Sequence, residues 1–179
     1  PFRLGYKGLG EPLCWIAFGP LATTAALIVL TPSPHLTNAI PWRTATLISA
    51  GPALATTLVL FCSHFHQVSQ DAKYGKKSPL VLIGTRRGAQ LIPWIIALIM
   101  TLELIPIITG EWPITALLGF FALPSGLDLI LLLKRYHNQP SLIKNSKFIA
   151  LKFQTINGIG LSIGFLLACI FSPSYINQV

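Results

Sequence analysis

Acidic side chains are scarce in this 179-residue chain, which holds five Asp and Glu against thirteen Lys and Arg. Charged residues of both signs make up only 10% of it, far below the roughly one quarter that a water-facing domain carries. A soluble globular fold is excluded on that ground. Cysteine is scarce too. Cys14, Cys62 and Cys169 stand apart in apolar surroundings without C-x-x-C spacing. That pattern points away from a disulfide framework or zinc site and predicts buried thiols. No internal repeat or low-complexity linker divides the chain, so residues 1–179 read as one unit. Pro1 rather than Met opens it, which predicts a processed chain or a piece of a longer one, and no signal peptide precedes the first apolar run.

Apolar residues fill the space that charge leaves. They form 53% of the chain, and the mean hydropathy is +0.66. About five stretches are long enough to cross ~30 Å of hydrocarbon at ~1.5 Å per residue. They run from about Leu13 to Leu30, Thr44 to Cys62, Ala89 to Ile108, Ile114 to Leu133 and Phe153 to Phe171. The expected fold is all-α, a polytopic transmembrane bundle in a lipid bilayer. Gly19-Pro20, Gly51-Pro52, Pro93 and Pro124 interrupt the runs. Such breakers survive in membranes where neighbouring helices or water satisfy the freed carbonyls, so they predict a packed, kinked bundle.

The net charge of +8 would suggest nucleic acid in a soluble protein. In a membrane protein it reads as topology and as attraction to anionic headgroups or phosphates, with no nucleic-acid partner. An odd number of spans puts the N-terminal tail, the Ser63–Gly88 loop and the Lys134–Lys152 loop on one side. Those segments carry twelve of the thirteen Lys and Arg, and the opposite side has only Arg43. The basic side is therefore expected to be cytoplasmic or stromal, in a plasma or thylakoid membrane. The other face has one modest loop, Thr31 to Arg43, and a short turn near Gly110-Glu111-Trp112.

Function is expected on the basic face, above all in the Ser63–Gly88 loop. Residues His64 to Lys73 continue the second span without Gly or Pro, so they predict a helix running past the hydrocarbon and ending near Gly75. On it Gln67 and Asp71 are i and i+4 and share a face with His64. Lys76 and Lys77 follow just beyond. An amide and a carboxylate facing a basic pair could hold Mg²⁺ and a diphosphate. A solvated helix end with a topology-setting basic cluster explains the same spacing.

The motif is more particular than its spacing. Gln67-x-x-x-Asp71-x-x-x-Gly75-Lys76 resembles the second aspartate-rich motif of the UbiA-type membrane prenyltransferases. The strings His64-Phe65-His66-Gln67-Val68, Gly75-Lys76-Lys77-Ser78-Pro79 and Gly84-Thr85 resemble the branch that prenylates 1,4-dihydroxy-2-naphthoate (MenA-type). The opening residues Pro1 to Leu13 are similar to that branch's loop before the fifth helix, and Leu123 to Leu127 and Lys152 to Thr155 fit less specifically.

This resemblance implies a nine-helix fold of which the chain holds helices five to nine, an incomplete UbiA-type fold. The missing N-terminal helices would carry the first Asn/Asp-rich motif. It implies Mg²⁺-assisted ionisation of an isoprenoid diphosphate, phytyl or longer. The naphthoate ring would then attack at its carboxylated carbon with loss of CO₂. Asp71 with Gln67 would hold the metal and Lys76 the diphosphate, with Lys77, Arg3 and Lys7 available to the substrates. Ser69 and Gln70 depart from the acidic residues common in this branch, leaving Asp71 the loop's only carboxylate. The fragment alone is expected to be inactive. A homogentisate- or chlorophyllide-type prenyltransferase and a truncated, non-catalytic membrane subunit are the alternatives.

Other polar residues have plainer readings. His64 and His66 are i and i+2, which turns them to different faces and argues for interfacial or core histidines. Glu103 and Asp128 lie within spans and are expected as internal packing or pairing groups, since ionised side chains there usually face a bundle interior. Glu11 shares the basic face with Arg3 and Lys7. Trp15, Trp42, Trp94 and Trp112 fall near span ends and read as interface anchors.

Overall fold

The computed structural model describes residues 2–30 and 42–171. Pro1 and residues 31–41, most of the expected far-side loop, lie outside the described residues. Among those described the only regular structure is helical, and five helices are long and apolar enough to cross a membrane. These are α1 (Gly10–Leu30), α2 (Trp42–His66), α5 (Thr85–Ile108), α6 (Ile114–Tyr136) and α7 (Ser146–Phe171). Two short helices, α3 (Val68–Lys73) and α4 (Pro79–Ile83), lie between α2 and α5. A 3₁₀ turn, Leu4–Lys7, precedes α1.

The spans match the sequence reading, and several run further at their ends than hydropathy alone gives. At 25 residues, α2 extends about 37 Å, several ångströms beyond the hydrocarbon core. Its last turn, His64–His66, tightens to 3₁₀. The expected straight continuation to Lys73 does not form. Gln67 takes φ −106°, ψ −1° and separates that turn from α3. No Gly or Pro marks this break, and the pattern of apolar residues is silent on it.

Helix α2 is the central element and packs against α1, α5 and α7. Small residues allow the close approaches. Gly19 of α1 departs from helical geometry (φ −102°, ψ −105°) next to Pro20, whose ring removes a backbone donor. A Cβ on Gly19 would sit 2.7 Å from the Ala53 Cβ of α2, so the kink brings the two backbones together there. Gly51 of α2 likewise leaves room for the Glu103 side chain of α5, whose Cγ would be 2.7 Å from a Cβ at position 51. Glu103 is fully buried and accepts a hydrogen bond from Asn157 Nδ2 of α7 at 2.8 Å, an interior pairing across helices.

The main apolar core, including Phe65, Leu80, Ile92, Leu133, Ile143 and Phe153, fills the end of the bundle that bears the polar loops. A smaller cluster of Ile107, Trp112, Ala116 and Leu161 closes the opposite end.

Three expectations fail. Asp128 is exposed, because the inner face of α6 is taken by Ser125, Leu129 and Leu133. Cys169 is also exposed, on the outer face of α7, while Cys62 is buried and Cys14 intermediate. Two of the four tryptophans turn inward: Trp15 donates Nε1–H to the Ala50 carbonyl at 3.2 Å, and Trp112 packs edge-on against Phe165. Trp42 and Trp94 are exposed.

The tightest contact joins α6 and α7. The first part of α6, Ile114–Ala122, is wound as a 3₁₀ helix before Leu123–Tyr136 turns α-helical with Pro124 in its first turn. Gly160 and Gly164 of α7 sit so close that Cβ atoms there would overlap Leu118 O and Thr115 O. They form a G-x-x-x-G pair of the kind that lets membrane helices touch through backbone. Backbone carbonyls cannot swing aside. Gly160→Ala is therefore expected to destabilise the bundle by about 1–3 kcal/mol, read as a lower melting temperature in detergent. Gly158→Ala, whose Cβ would meet nothing within 4 Å, is expected to leave it unchanged.

Candidate active site

The three polar segments meet at one end of the bundle. The carbonyl of Tyr6 accepts a hydrogen bond from the Lys77 amide at 2.9 Å, which docks the N-terminal arm on the loop after α3. Gly8 takes φ +80°, and a Cβ there would lie 2.9 Å from the Lys77 carbonyl oxygen. Both the left-handed backbone and the close approach require glycine. On the other side Thr85 Oγ1 contacts His137 Nδ1 at 3.1 Å, and Ser146 Oγ donates to the Cys62 carbonyl at 3.2 Å. These bonds tie the 134–152 loop to the same end.

Helix α4 is fixed from beneath. Leu80 is buried against Gly88 of α5, where a Cβ would overlap its Cδ2. Pro79 opens α4, and Gly84 ends it at φ +82°. The loop between α3 and α4 turns through Gly75 at φ +67°, with the Lys76 amide donating to the Asp71 carbonyl at 2.8 Å. That turn folds Lys76 back over Asp71.

The polar cluster is built on Asp71. Its carboxylate is buried, Oδ1 lies 3.3 Å from Lys76 Nζ, and Oδ2 lies 3.1 Å from His64 Nδ1. The opposite ring nitrogen of His64, Nε2, is 3.2 Å from Glu11 Oε1 at the start of α1. Glu11, His64, Asp71 and Lys76 thus stand in a continuous line across α1, α2, α3 and the loop that follows. About a quarter of the Lys76 side chain stays exposed, so its ammonium can meet a second anion.

The sequence-based candidates divide. Asp71 and Lys76 come together. Gln67 stands one turn before Asp71, which donates its amide to the Gln67 carbonyl at 2.8 Å, and the Gln67 side chain is half-buried without a hydrogen bond among the described residues. Lys77, Arg3 and Lys7 are exposed. Arg3 adopts a left-handed φ of 42°, and Lys7 lies in the turn whose Tyr6 carbonyl receives Lys77. His64 is buried, as the core reading expects, and lies on the Asp71 side as its shared face implies. The break at Gln67 closes the two-turn gap that a straight helix would leave and brings its ring onto Asp71 seven residues on. His66 stays apart from the cluster, half-buried.

Whether these residues suit Mg²⁺ follows from the donors present. No group of three or more His, Cys, Asp and Glu among the described residues is arranged to hold a metal ion. Asp71 already serves His64 and Lys76, but a carboxylate has about four lone-pair sites. It fits as one ligand of an ion that takes its remaining oxygens from phosphates and water, as Mg²⁺ commonly does.

Five spans and a buried carboxylate gripped by lysine at one bundle end define a polytopic membrane protein with an ionic site beside an apolar interior. Residues 1–152 match the UbiA prenyltransferase family, and the chain belongs to it. It is similar to the chloroplastic 2-carboxy-1,4-naphthoquinone phytyltransferase of Arabidopsis thaliana, 39% identical over 94% of this chain and 44% of that protein. It is also similar to the 2-carboxy-1,4-naphthoquinone phytyltransferase of Synechocystis, 38% identical over 92% of this chain and 52% of that one. The chain spans about half the length of these relatives. No solved structure matches it.

The docking of the arm is directly testable. Gly8→Ala is expected to release it and to speed tryptic cleavage after Lys7 in detergent. Gly5→Ala, whose Cβ meets nothing within 4 Å, is the control; equal cleavage of both would show that Gly8 does not hold the arm.

Proposed function

We propose that this chain is the C-terminal portion, helices five to nine, of a membrane prenyltransferase. The reaction is transfer of an isoprenoid group, phytyl or longer, from its diphosphate to 1,4-dihydroxy-2-naphthoate with decarboxylation, in phylloquinone or menaquinone synthesis. The observation that carries this reading is the Asp71–Lys76 pair, 3.3 Å apart at one end of an apolar bundle. It stands in a chain 38–39% identical to two naphthoquinone phytyltransferases.

The geometry supports the following roles. Lys76, partly exposed beside Asp71, binds oxygens of the diphosphate leaving group. Lys77, Arg3 and Lys7 hold the surrounding field positive and draw in anionic substrates. Asp71, with the Gln67 amide one turn away, would hold Mg²⁺. When bound, that ion supplies charge neutralisation as the diphosphate departs, the kind of electrostatic stabilisation that dominates such reactions. The apolar bundle excludes water from the allylic cation until the ring attacks it. The basic end faces the cytoplasm or stroma, as the concentration of Lys and Arg there favours, in a plasma or thylakoid membrane.

Asp71→Asn in the full-length protein keeps the side-chain shape and removes the charge. Prenyl transfer with Mg²⁺ is expected to fall by about 10²-fold or more, the scale for losing a preorganised electrostatic group. Unchanged turnover would remove Asp71 from the mechanism. The 179 residues by themselves are expected to give no product, because Glu11 and Asp71 are the sole carboxylates near the site among the described residues. Measurable transfer by the isolated chain would refute that.

A further inference from the structure

We propose that Glu11 and His64 are a positioning couple that fixes the orientation of the Asp71 carboxylate, an inference that rests on the function proposed above. The His64 ring is buried, with 4% of the residue exposed. Nδ1 lies 3.1 Å from Asp71 Oδ2 and Nε2 lies 3.2 Å from Glu11 Oε1. With both nitrogens facing carboxylates, the ring has no free edge for a substrate, so it is neither a base for the acceptor nor a binding group for the diphosphate. Its contacts are mechanical and electrostatic. It joins the first turn of α1, the last turn of α2 and the single turn of α3 that bears Asp71.

Asp71 needs such a brace. Lys76 holds Oδ1 from a flexible side chain on a loop that turns at Gly75. One bond to a mobile ammonium leaves the carboxylate free to rotate about its Cβ–Cγ bond. A second bond to Oδ2, from a ring locked in the packed end of α2, fixes the carboxylate plane. Glu11 lies against the far edge of the ring, its Oε1 3.2 Å from Nε2, a charge contact without hydrogen-bond geometry that limits the ring's movement. The arm contact from Tyr6 to Lys77 ties the segment before α1 to the loop after Asp71 through backbone.

The test uses the full-length enzyme and three substitutions at one position, with purified yield and melting temperature recorded for each. Asn places its amide nitrogen near the place of Nδ1 and can still brace Asp71. Gln reaches the place of Nε2 and braces Glu11 instead. His64→Ala is expected to lower turnover about 10–100-fold, the usual cost of losing an outer-shell orienting group. His64→Asn is expected to recover a substantial part of that loss, and His64→Gln is not. Glu11→Ala shifts turnover in the same direction by a smaller factor. Wild-type turnover in His64→Ala, or equal impairment of the Asn and Gln variants, would overturn the proposal. Should the alanine variant fail to fold, the Asn and Gln pair decides. Asp71→Asn separates the two readings: if it stays active the proposed function fails, whereas if it is dead and His64 is indifferent only the positioning couple fails.

Discussion

The placement of one ionised group controls the organisation of this protein. Asp71 is a buried carboxylate at the edge of an apolar bundle, where removing a charge from water is expensive unless donors replace the lost solvent. Lys76 and His64 replace it. Each donor is delivered by a feature with no other evident purpose. Gly75 turns the chain so that Lys76 returns over α3, and the interruption at Gln67 rotates His64 toward it. The Gly75 turn and the break at Gln67 thus serve the solvation of that carboxylate by protein instead of water.

His64 lies in the last turn of a helix longer than the hydrocarbon is thick, and the cluster sits at the end of the bundle where the polar loops gather. Below it the bundle is held by close packing rather than by charge. Glycines at 19, 51, 160 and 164 allow contacts that any side chain would block. The Glu103–Asn157 pair is the deep polar exception, and it crosses from α5 to α7 inside the protein, away from lipid. Helix association in a membrane has no hydrophobic driving force, so backbone proximity and a few internal hydrogen bonds carry it.

Much of this could be read from residues alone. Runs of some twenty apolar residues gave five spans because nothing else in a folded protein needs such length. The loop beyond Ser63 stood out because its polar residues are spaced by one helical turn. The pairing of Asp71 with Lys76 follows from that local spacing together with Gly75. The link from Glu11 to His64 was out of reach, since it joins positions 53 apart, and the turn that aims His64 has no Gly or Pro to announce it. Asp128 misled because intramembrane charge favours the interior only where the helix face turns inward, and α6 presents Ser125, Leu129 and Leu133 there instead. The Gly160-x-x-x-Gly164 pair lay in plain sight but says nothing of its partner until Leu118 and Thr115 are seen against it.

The proposed chemistry asks one molecule to be held at both ends by opposite means. An isoprenoid diphosphate carries a tail that favours lipid by ~0.8 kcal/mol per CH₂ and a head that no hydrocarbon will solvate. The carbon between them has to react where the tail is dry and the head is neutralised. Only the boundary plane of a bundle satisfies both conditions, and the proposed mechanism puts Asp71 with Lys76 on that plane. Moving the pair a turn deeper would strand the diphosphate in hydrocarbon; moving it a turn outward would expose the allylic cation to water. In the proposed mechanism a brace that fixes the carboxylate plane serves the chemistry as well as the fold, because a rotated carboxylate would no longer hold its oxygens where the diphosphate arrives.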